Sequence, residues 1–183
     1  VLGRGLYTTS DIWDKPDPAT HASKKPTAQW FWAAHACEVE VDPKTGKIKI
    51  LDYAAAQDVG MAINTMTCTQ QVEGGVVMGM SHCLLEGLIY DDQGHLLNGN
   101  MVDFKVATAK DTDFNIKVAL VENPVDDNPY GARGIGEPPV VPPAAAISAA
   151  VSRACGVRLK SIPLKSDEVL SAIRHAENRE EDV

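Results

Sequence analysis

The sequence has no closely spaced cysteines, no block of basic residues and no long apolar run, and each absence excludes a class of site or partner. Cys37, Cys68, Cys83 and Cys155 are far apart and form no C-x-x-C pair, so neither a zinc site nor an iron–sulfur cluster is indicated in this chain. The net charge is -8 without any cluster of Lys or Arg, which argues against a nucleic acid or an anionic membrane as partner. No segment approaches the roughly 20 apolar residues of a membrane-spanning helix. We therefore expect a soluble, cytoplasmic protein.

Several common catalytic motifs are also missing. Neither H-E-x-x-H nor G-x-S-x-G occurs, and the five histidines do not fall at metal-ligand spacing, so no metal ligand is predicted in this chain. The glycines near residue 134 follow G-x-x-G-x-G, which differs from the dinucleotide fingerprint G-x-G-x-x-G. No Lys-Ser or Lys-Thr follows them to complete a phosphate loop. The sequence therefore predicts neither a nucleotide-binding nor a metalloprotease site.

The length of 183 residues and the hydrophobic content of 44% suit one ordinary domain. The first residue is Val1 and not Met, so we expect the chain to be a piece of a longer protein. We divide it into an extended N-terminal segment (1–33), a folded subdomain (34–175) and a charged, frayed tail (176–183). Within the first segment, residues 11–29 are rich in Asp, Pro, Lys, Ser and Thr and should form a surface loop.

Alternating and helical patterns predict a mixture of strands and helices. Residues 34–41 and 47–54 alternate like strands of a hairpin, and residues 116–121 form a further strand. A second, short hairpin is expected from residues 88–90 and 96–97. Three helices are predicted. The first covers residues 67–87 with a Thr as N-cap, and the last begins at Ser166. The middle helix begins at Pro142 and Pro143 and ends at Gly156, and its apolar stripe consists of Ile147, Val151 and Ala154. The predicted fold class is α+β, with a two-layer arrangement of mixed sheet and hairpins packed against helices.

The predicted helix at residues 67–87 is unusually rich in glycine. Gly75 and Gly79 follow Gln71 at intervals of four residues and share one helix face. Each glycine in a helix interior costs about 1 kcal/mol relative to alanine, so something should compensate for it. Two interpretations stay open: a bare groove for a flat ligand or a backbone, and tight packing of the helix against its neighbours.

The most informative segment is residues 131–139, GARGIGEPP, in which three glycines precede a carboxylate and two prolines. Pro138 should restrict Glu137 to extended conformations and so fix the direction of its side chain. In a site with little water Glu137 could serve as a general base, whereas the alternative is a solvated carboxylate on a turn. Arg133 could bind an anion, but a salt bridge to a nearby Asp is the preferred interpretation.

Four segments in order resemble the large subunit of molybdenum hydroxylases, the xanthine dehydrogenase and aldehyde oxidase family. These segments are residues 39–46 (VEVDPKTG), 57–64 (QDVGMAIN), 71–75 (QVEGG) and 134–139 (GIGEPP). The resemblance covers roughly residues 34–174 and identifies the chain as the C-terminal part of the molybdopterin-binding domain. Each motif alone is short, but their order and spacing together are specific.

The resemblance implies particular roles for several residues. Glu137 would be the general base in the hydroxylation of an aldehyde or N-heteroaromatic carbon with oxygen derived from water. Gln71, Thr69 and Gly136 would contact a molybdenum-pterin cofactor, and the glycine face of the helix would admit the flat pterin. An iron–sulfur cluster and FAD are expected in partner domains or subunits, and the remainder of the large subunit should complete the site. The chain alone should be inactive.

A competing hypothesis is a non-catalytic interaction or scaffold domain that has kept the fold and lost the cofactor. Under either hypothesis, the chain should expose an apolar or glycine-rich face where its natural neighbour is missing. Isolated copies are expected to pair through such a face.

Overall fold

The computed structural model describes residues 2–8 and 13–181. Residues 13–32 contain turns and bends but no helix or strand, as expected for the surface loop; residues 11 and 12 of that loop lie outside the described residues. None of the described helices is both long and apolar enough to cross a lipid bilayer. The division of the chain into three parts stays a prediction.

A mixed three-stranded sheet forms one layer. Strands β1 (Ala33–Val41) and β2 (Ile48–Gly60) pair antiparallel, and β3 (Asn115–Glu122) lies parallel to β2 on its other side. The hairpin and the third strand are thus confirmed. However, β2 runs six residues beyond the predicted end at Ala54. Its last residues are almost all buried, so the alternation used to define the strand fades there although the hydrogen-bonded ladder continues.

The longest helix, α1 (Thr65–Leu84), follows β2. Its N-cap is Asn64, whose side-chain oxygen accepts a hydrogen bond from the Thr67 backbone N–H at 3.1 Å, so the prediction of a Thr cap was wrong. The helix also ends three residues before the predicted Gly87, where the backbone N–H groups of Leu85 and Glu86 both donate to the Ser81 carbonyl. A single turn, α2 (Met101–Phe104), was not predicted. The second hairpin is reduced to one isolated bridge between Tyr90 and Leu96.

The two remaining helices are α3 (Val141–Cys155) and α4 (Ser166–Glu181). Gly156 ends α3 with a φ of 68°, as the sequence indicated. Within the predicted stripe of α3, Ile147 and Val151 are buried, but Ala154 is exposed and the partly buried Cys155 packs against the core instead. The backbone of α4 stays helical to Glu181, beyond the expected frayed end at His175; residues 182 and 183 lie outside the described part.

The hydrophobic core lies between the sheet and the helices. Its buried members are Ile50, Tyr53, Ala55, Val72, Val76, Met80, Cys83, Ile147, Val151, Leu164, Val169 and Ile173. They come from β2, from α1, α3 and α4, and from the segment before α4. This two-layer arrangement confirms the α+β fold class, and it brings the end of β2, the start of α1 and the start of α3 together at one edge of the sheet.

Candidate functional site

The end of β2 holds the start of the glycine-rich loop. The Met61 N–H donates to the Gly131 carbonyl at 3.0 Å, and the Arg133 N–H donates to the Val59 carbonyl at 2.9 Å. Gly60 lies between these two bonds with a φ of +65°, and a Cβ at this position would stand 2.3 Å from the Gly131 oxygen. A side chain at residue 60 would therefore push the loop away from the strand.

A buried ion pair strengthens this junction. The Nε atom of Arg133 lies 3.2 Å from Oδ2 of Asp58, which is an ion-pair distance without hydrogen-bond alignment, and the two side chains are 11% and 4% exposed. The Nη1 atom of Arg133 donates to the Trp30 carbonyl at 2.8 Å. Arg133 thus forms the salt bridge preferred from the sequence, and it ties the loop both to β2 and to the segment before β1.

The glycine face of α1 is used for packing. A Cβ on Gly75 would stand 2.5 Å from the Cβ of Pro139, and one on Gly79 would stand 2.7 Å from the Val140 carbonyl oxygen. The segment that follows Glu137 therefore lies directly on α1, and the expectation that this face admits a flat pterin was wrong for Gly75 and Gly79. The reason is that Pro139 in the turn before α3 and Pro143 in its first turn fill the space that the missing side chains leave. Gly74 is different, since a Cβ added there would have nothing within 4 Å of it.

Gln71 lies one turn before Gly75, where this face opens to solvent. Its Nε2 atom donates to the Gly136 carbonyl at 2.6 Å, across 65 residues of sequence. Two of the three residues expected to contact a cofactor, Gln71 and Gly136, are thus in direct contact with each other. The third, Thr69, is partly buried on α1.

Glu137 begins a 3-10 turn formed by Pro138–Val140. Its backbone has φ -116° and ψ -23°, so the expectation of an extended residue before Pro138 was wrong. The turn accounts for this, because the Val140 N–H donates to the Glu137 carbonyl at 3.0 Å and requires a helical ψ. The Glu137 side chain is exposed in this chain and lines an open cleft.

The cleft has a volume of about 750 Å³. Its walls are largely apolar and include the side chains of Trp30 and Phe31, which are 68% and 41% exposed, together with Val141. Gly134 and Gly136 also line it, and no atom lies within 4 Å of a Cβ built on either glycine. The space over the loop is therefore open to a ligand.

Gln57 also lines the cleft, and sequence reasoning missed it as a site residue. Its side chain is fully buried, and Nε2 donates at 3.4 Å to the carbonyl oxygens of Trp32 and Asp58. Its Oε1 atom has no hydrogen-bond partner in the described part of the chain. The available signal was the pair of polar residues Gln57 and Asp58 between the apolar residues at the end of a strand.

These features fit a ligand with polar atoms over the loop. Gln57 and Glu137 line the cleft with polar side chains, Gln71 contacts its loop at the Gly136 carbonyl, and Gly134 and Gly136 leave room above that loop. No group of three or more His, Cys, Asp or Glu side chains within the described ranges could hold a metal ion. This chain would thus contribute hydrogen bonds and the open space over its loop to a cofactor site.

Comparison with known proteins identifies the family. The family model described as molybdopterin cofactor-binding domain matches residues 2–113, which is more than half of the chain, and the chain belongs to this family. The match includes Thr69 and Gln71 and ends before the loop that carries Glu137.

Individual relatives are dehydrogenase or oxidoreductase chains, and one of them is described as a molybdenum-binding subunit. The chain is 29% identical over 93% of its length to the gamma subunit of the 6-hydroxypseudooxynicotine dehydrogenase complex of Paenarthrobacter nicotinovorans. It is 35% identical over 69% of its length to the putative xanthine dehydrogenase molybdenum-binding subunit of Escherichia coli (strain K12). The structure superimposes on the aldehyde oxidoreductase from Desulfovibrio gigas with a TM-score of 0.77 and 28% identity over 88% of this chain.

The chain spans only about a fifth of the length of these relatives. It covers 22% of the gamma subunit, 17% of the xanthine dehydrogenase subunit and 17% of the aldehyde oxidoreductase chain.

Proposed function

We propose that this chain contributes the general base to the active site of a molybdenum hydroxylase, which oxidises an aldehyde or N-heteroaromatic carbon with oxygen derived from water. The observation that carries the proposal is the contact between Gln71 and Gly136, since it fixes the residue next to Glu137 at the mouth of an apolar cleft. When bound, the molybdenum-pterin cofactor supplies the two-electron oxidation.

The role of Glu137 is to accept a proton at its carboxylate from the water-derived hydroxyl group as the oxygen attacks the substrate carbon. Its position suits this role, because the bonds of Val59, Met61 and Gln71 hold the loop before it, and the packing of Pro139 on Gly75 holds the segment after it. A base must be held within hydrogen-bond reach of the proton that it accepts. The neighbouring apolar walls would help to exclude water once the substrate fills the cleft.

Gln71, Thr69 and Gly136 are proposed to contact the cofactor. The amide of Gln71 reaches Gly136 from the exposed end of α1, and the bare glycines leave room above the loop. A polar group of the pterin could then bond to the oxygen of the Gln71 amide or to the loop backbone.

The chain requires partners to act as an enzyme. Glu137 is exposed here, so the remainder of the large subunit is proposed to cover the cleft and to supply the other cofactor contacts. Electrons would leave through an iron–sulfur cluster and FAD in partner domains or subunits. We propose that the isolated chain is inactive.

The test of Glu137 is kinetic and uses the assembled complex. Glu137→Gln removes the base but keeps the shape, and it should lower turnover by about 10²- to 10⁴-fold while the molybdenum content stays unchanged. Glu40→Gln is the matched control, since Glu40 is an exposed carboxylate in β1 away from the cleft. Near-normal turnover of Glu137→Gln would refute the assigned role.

Metal analysis of the native complex separates the enzyme from the scaffold hypothesis. Molybdenum and a pterin nucleotide that copurify with the complex would exclude a non-catalytic scaffold. Their absence from a correctly assembled complex would favour it and overturn the proposal.

The role of Gln71 is tested by comparing its alanine variant with the alanine variant of the adjacent Gln70. Gln71→Ala removes the bond to Gly136 and should reduce the retained molybdenum severalfold during dialysis, because a hydrogen bond contributes about 0.5–1.5 kcal/mol. Gln70→Ala changes an adjacent exposed glutamine of the same helix and should retain the metal. Equal losses from the two variants would show that the amide of Gln71 has no special role.

A further inference from the structure

The amide oxygen of Gln57, a residue of the cleft wall, has no hydrogen-bond partner in the described part of the chain and could pair with a donor group of the substrate. The orientation of the amide follows from its surroundings, because Nε2 faces two carbonyl oxygens, those of Trp32 and Asp58. A flipped amide would place its oxygen against both carbonyls and make no hydrogen bond. The atom left without a partner among the described residues is therefore an acceptor, and the residue that carries it, Gln57, lines the same cleft as Glu137.

A buried acceptor without a partner is costly, so a ligand that brings a donor gains by pairing with it. The Gln57 oxygen is covered by its neighbours in this structure, but the amide is weakly held, since both of its hydrogen bonds are 3.4 Å long. The last side-chain torsion of glutamine is also soft. A small rotation could therefore present the oxygen to the cleft at little cost.

The rest of the cleft favours a flat ring. Trp30 and Phe31 expose large aromatic surfaces at its edge, and its lining is mostly apolar. An aldehyde group carries only an acceptor oxygen and cannot pair with the Gln57 oxygen. A heteroaromatic lactam has both a flat ring and a ring N–H donor.

We propose that Gln57 is a specificity-determining residue that accepts a hydrogen bond from the ring N–H of an N-heteroaromatic substrate. The inference rests on the proposed function and deepens it, because it selects between the two substrate classes considered above. Under this proposal the chain supplies two groups that act on the substrate: the base Glu137 and the hydrogen-bond acceptor Gln57.

The experiment measures binding to the resting, fully assembled enzyme by equilibrium dialysis. The probes are isoquinolin-1(2H)-one, which has a ring N–H, and its 2-methyl derivative, which lacks it. The wild-type enzyme should bind the N–H compound about 10-fold more tightly, as one hydrogen bond to a buried acceptor would give. Gln57→Met, which has a similar volume and no amide, should reduce this preference by about the same factor.

The choice of methionine separates hydrogen bonding from size. A steric penalty for the methyl group would persist in Gln57→Met, whereas a preference due to the amide oxygen would disappear. Gln57→Asn, which withdraws the amide by one methylene group, is the second variant and should also lose the preference. Thermal unfolding and molybdenum content show whether each variant has folded and assembled.

Three outcomes would overturn the proposal: equal binding of the two probes to the wild-type enzyme, an unchanged preference in a folded Gln57 variant, and no binding of either probe. The last outcome would mean that other parts of the large subunit fill the cleft.

Failure of this inference is distinguishable from failure of the proposed function. Glu137→Gln should lose turnover but keep the preference for the N–H probe. If Glu137→Gln turned over normally while the preference persisted, the base would be refuted and the Gln57 contact would stand.

Discussion

At the scale of single residues, a buried ion pair adds to the backbone hydrogen bonds that join β2 to the loop. Asp58 has two roles, since its Oδ1 accepts the Gly60 N–H at 3.0 Å while its Oδ2 faces Arg133. Arg133 in turn holds the Trp30 carbonyl at the edge of the cleft. The loss of Arg133 would therefore leave a buried carboxylate without a counter-charge and release the wall of the cleft.

We predict that Arg133→Met lowers the free energy of unfolding by about 3–5 kcal/mol, as expected when one partner of a buried ion pair is removed. Denaturant unfolding followed by circular dichroism measures this change. The double variant Asp58→Asn with Arg133→Met keeps the oxygen that bonds Gly60 and removes the uncompensated charge. It should recover part of the loss, and a double variant no more stable than Arg133→Met would contradict the assignment.

At the scale of elements, α1 lies so close to the turn before α3 and to the first turn of α3 that glycine is required at two positions of α1. Gly75 meets Pro139, and Gly79 meets Val140 and Pro143. The segment in contact begins only two residues after Glu137. The contact that packs these elements together therefore also fixes the position of the Glu137 loop relative to α1.

The neighbouring glycines of α1 provide a matched pair of variants. Gly75→Ala forces a methyl group against Pro139 and should destabilise the chain by about 1–3 kcal/mol. Gly74→Ala adds its methyl group in open space and should stabilise the chain by up to about 1 kcal/mol, because alanine has the higher helix propensity. Thermal unfolding of both variants measures the difference, and equal melting temperatures would show that the close approach is absent in solution.

At the scale of the whole molecule, many large apolar side chains remain exposed. Trp32 is 69% exposed, Val141 76% and Tyr130 85%, and Trp30 and Val141 also line the cleft. An exposed apolar surface of this kind is typical of a region that another part of a protein covers. Whether these side chains form the one exposed face expected from the sequence stays a prediction.

We expect isolated copies of this chain to associate in a concentration-dependent way. Light scattering after gel filtration should give a mass above that of one chain at high concentration. Trp32→Gln should reduce the association, because it removes an exposed aromatic side chain, whereas Lys44→Gln in the hairpin turn should not. A single monomer mass at all concentrations would contradict this expectation.

The sequence by itself determined the elements whose signals are local. The alternation of apolar and polar residues predicted β1 and most of β2, because successive side chains of a strand point to opposite faces of the sheet. The stripe of Ile147 and Val151 with Gly156 gave α3, since helical spacing and a C-cap lie within a few turns. The glycines and prolines around Glu137 marked the loop for the same reason, although they did not give its conformation.

Only the tertiary structure decided how these elements form a site. The contact between Gln71 and Gly136 spans 65 residues and that between Arg133 and Trp30 spans 103, so no local pattern encodes either one. The same holds for the glycine face of α1. The sequence did not decide whether a ligand or a neighbouring segment covers this face, and in the fold Pro139 and Pro143 cover it. The unpaired oxygen of Gln57 is likewise a property of three dimensions, because burial and hydrogen-bond partners depend on which distant segments the fold brings together.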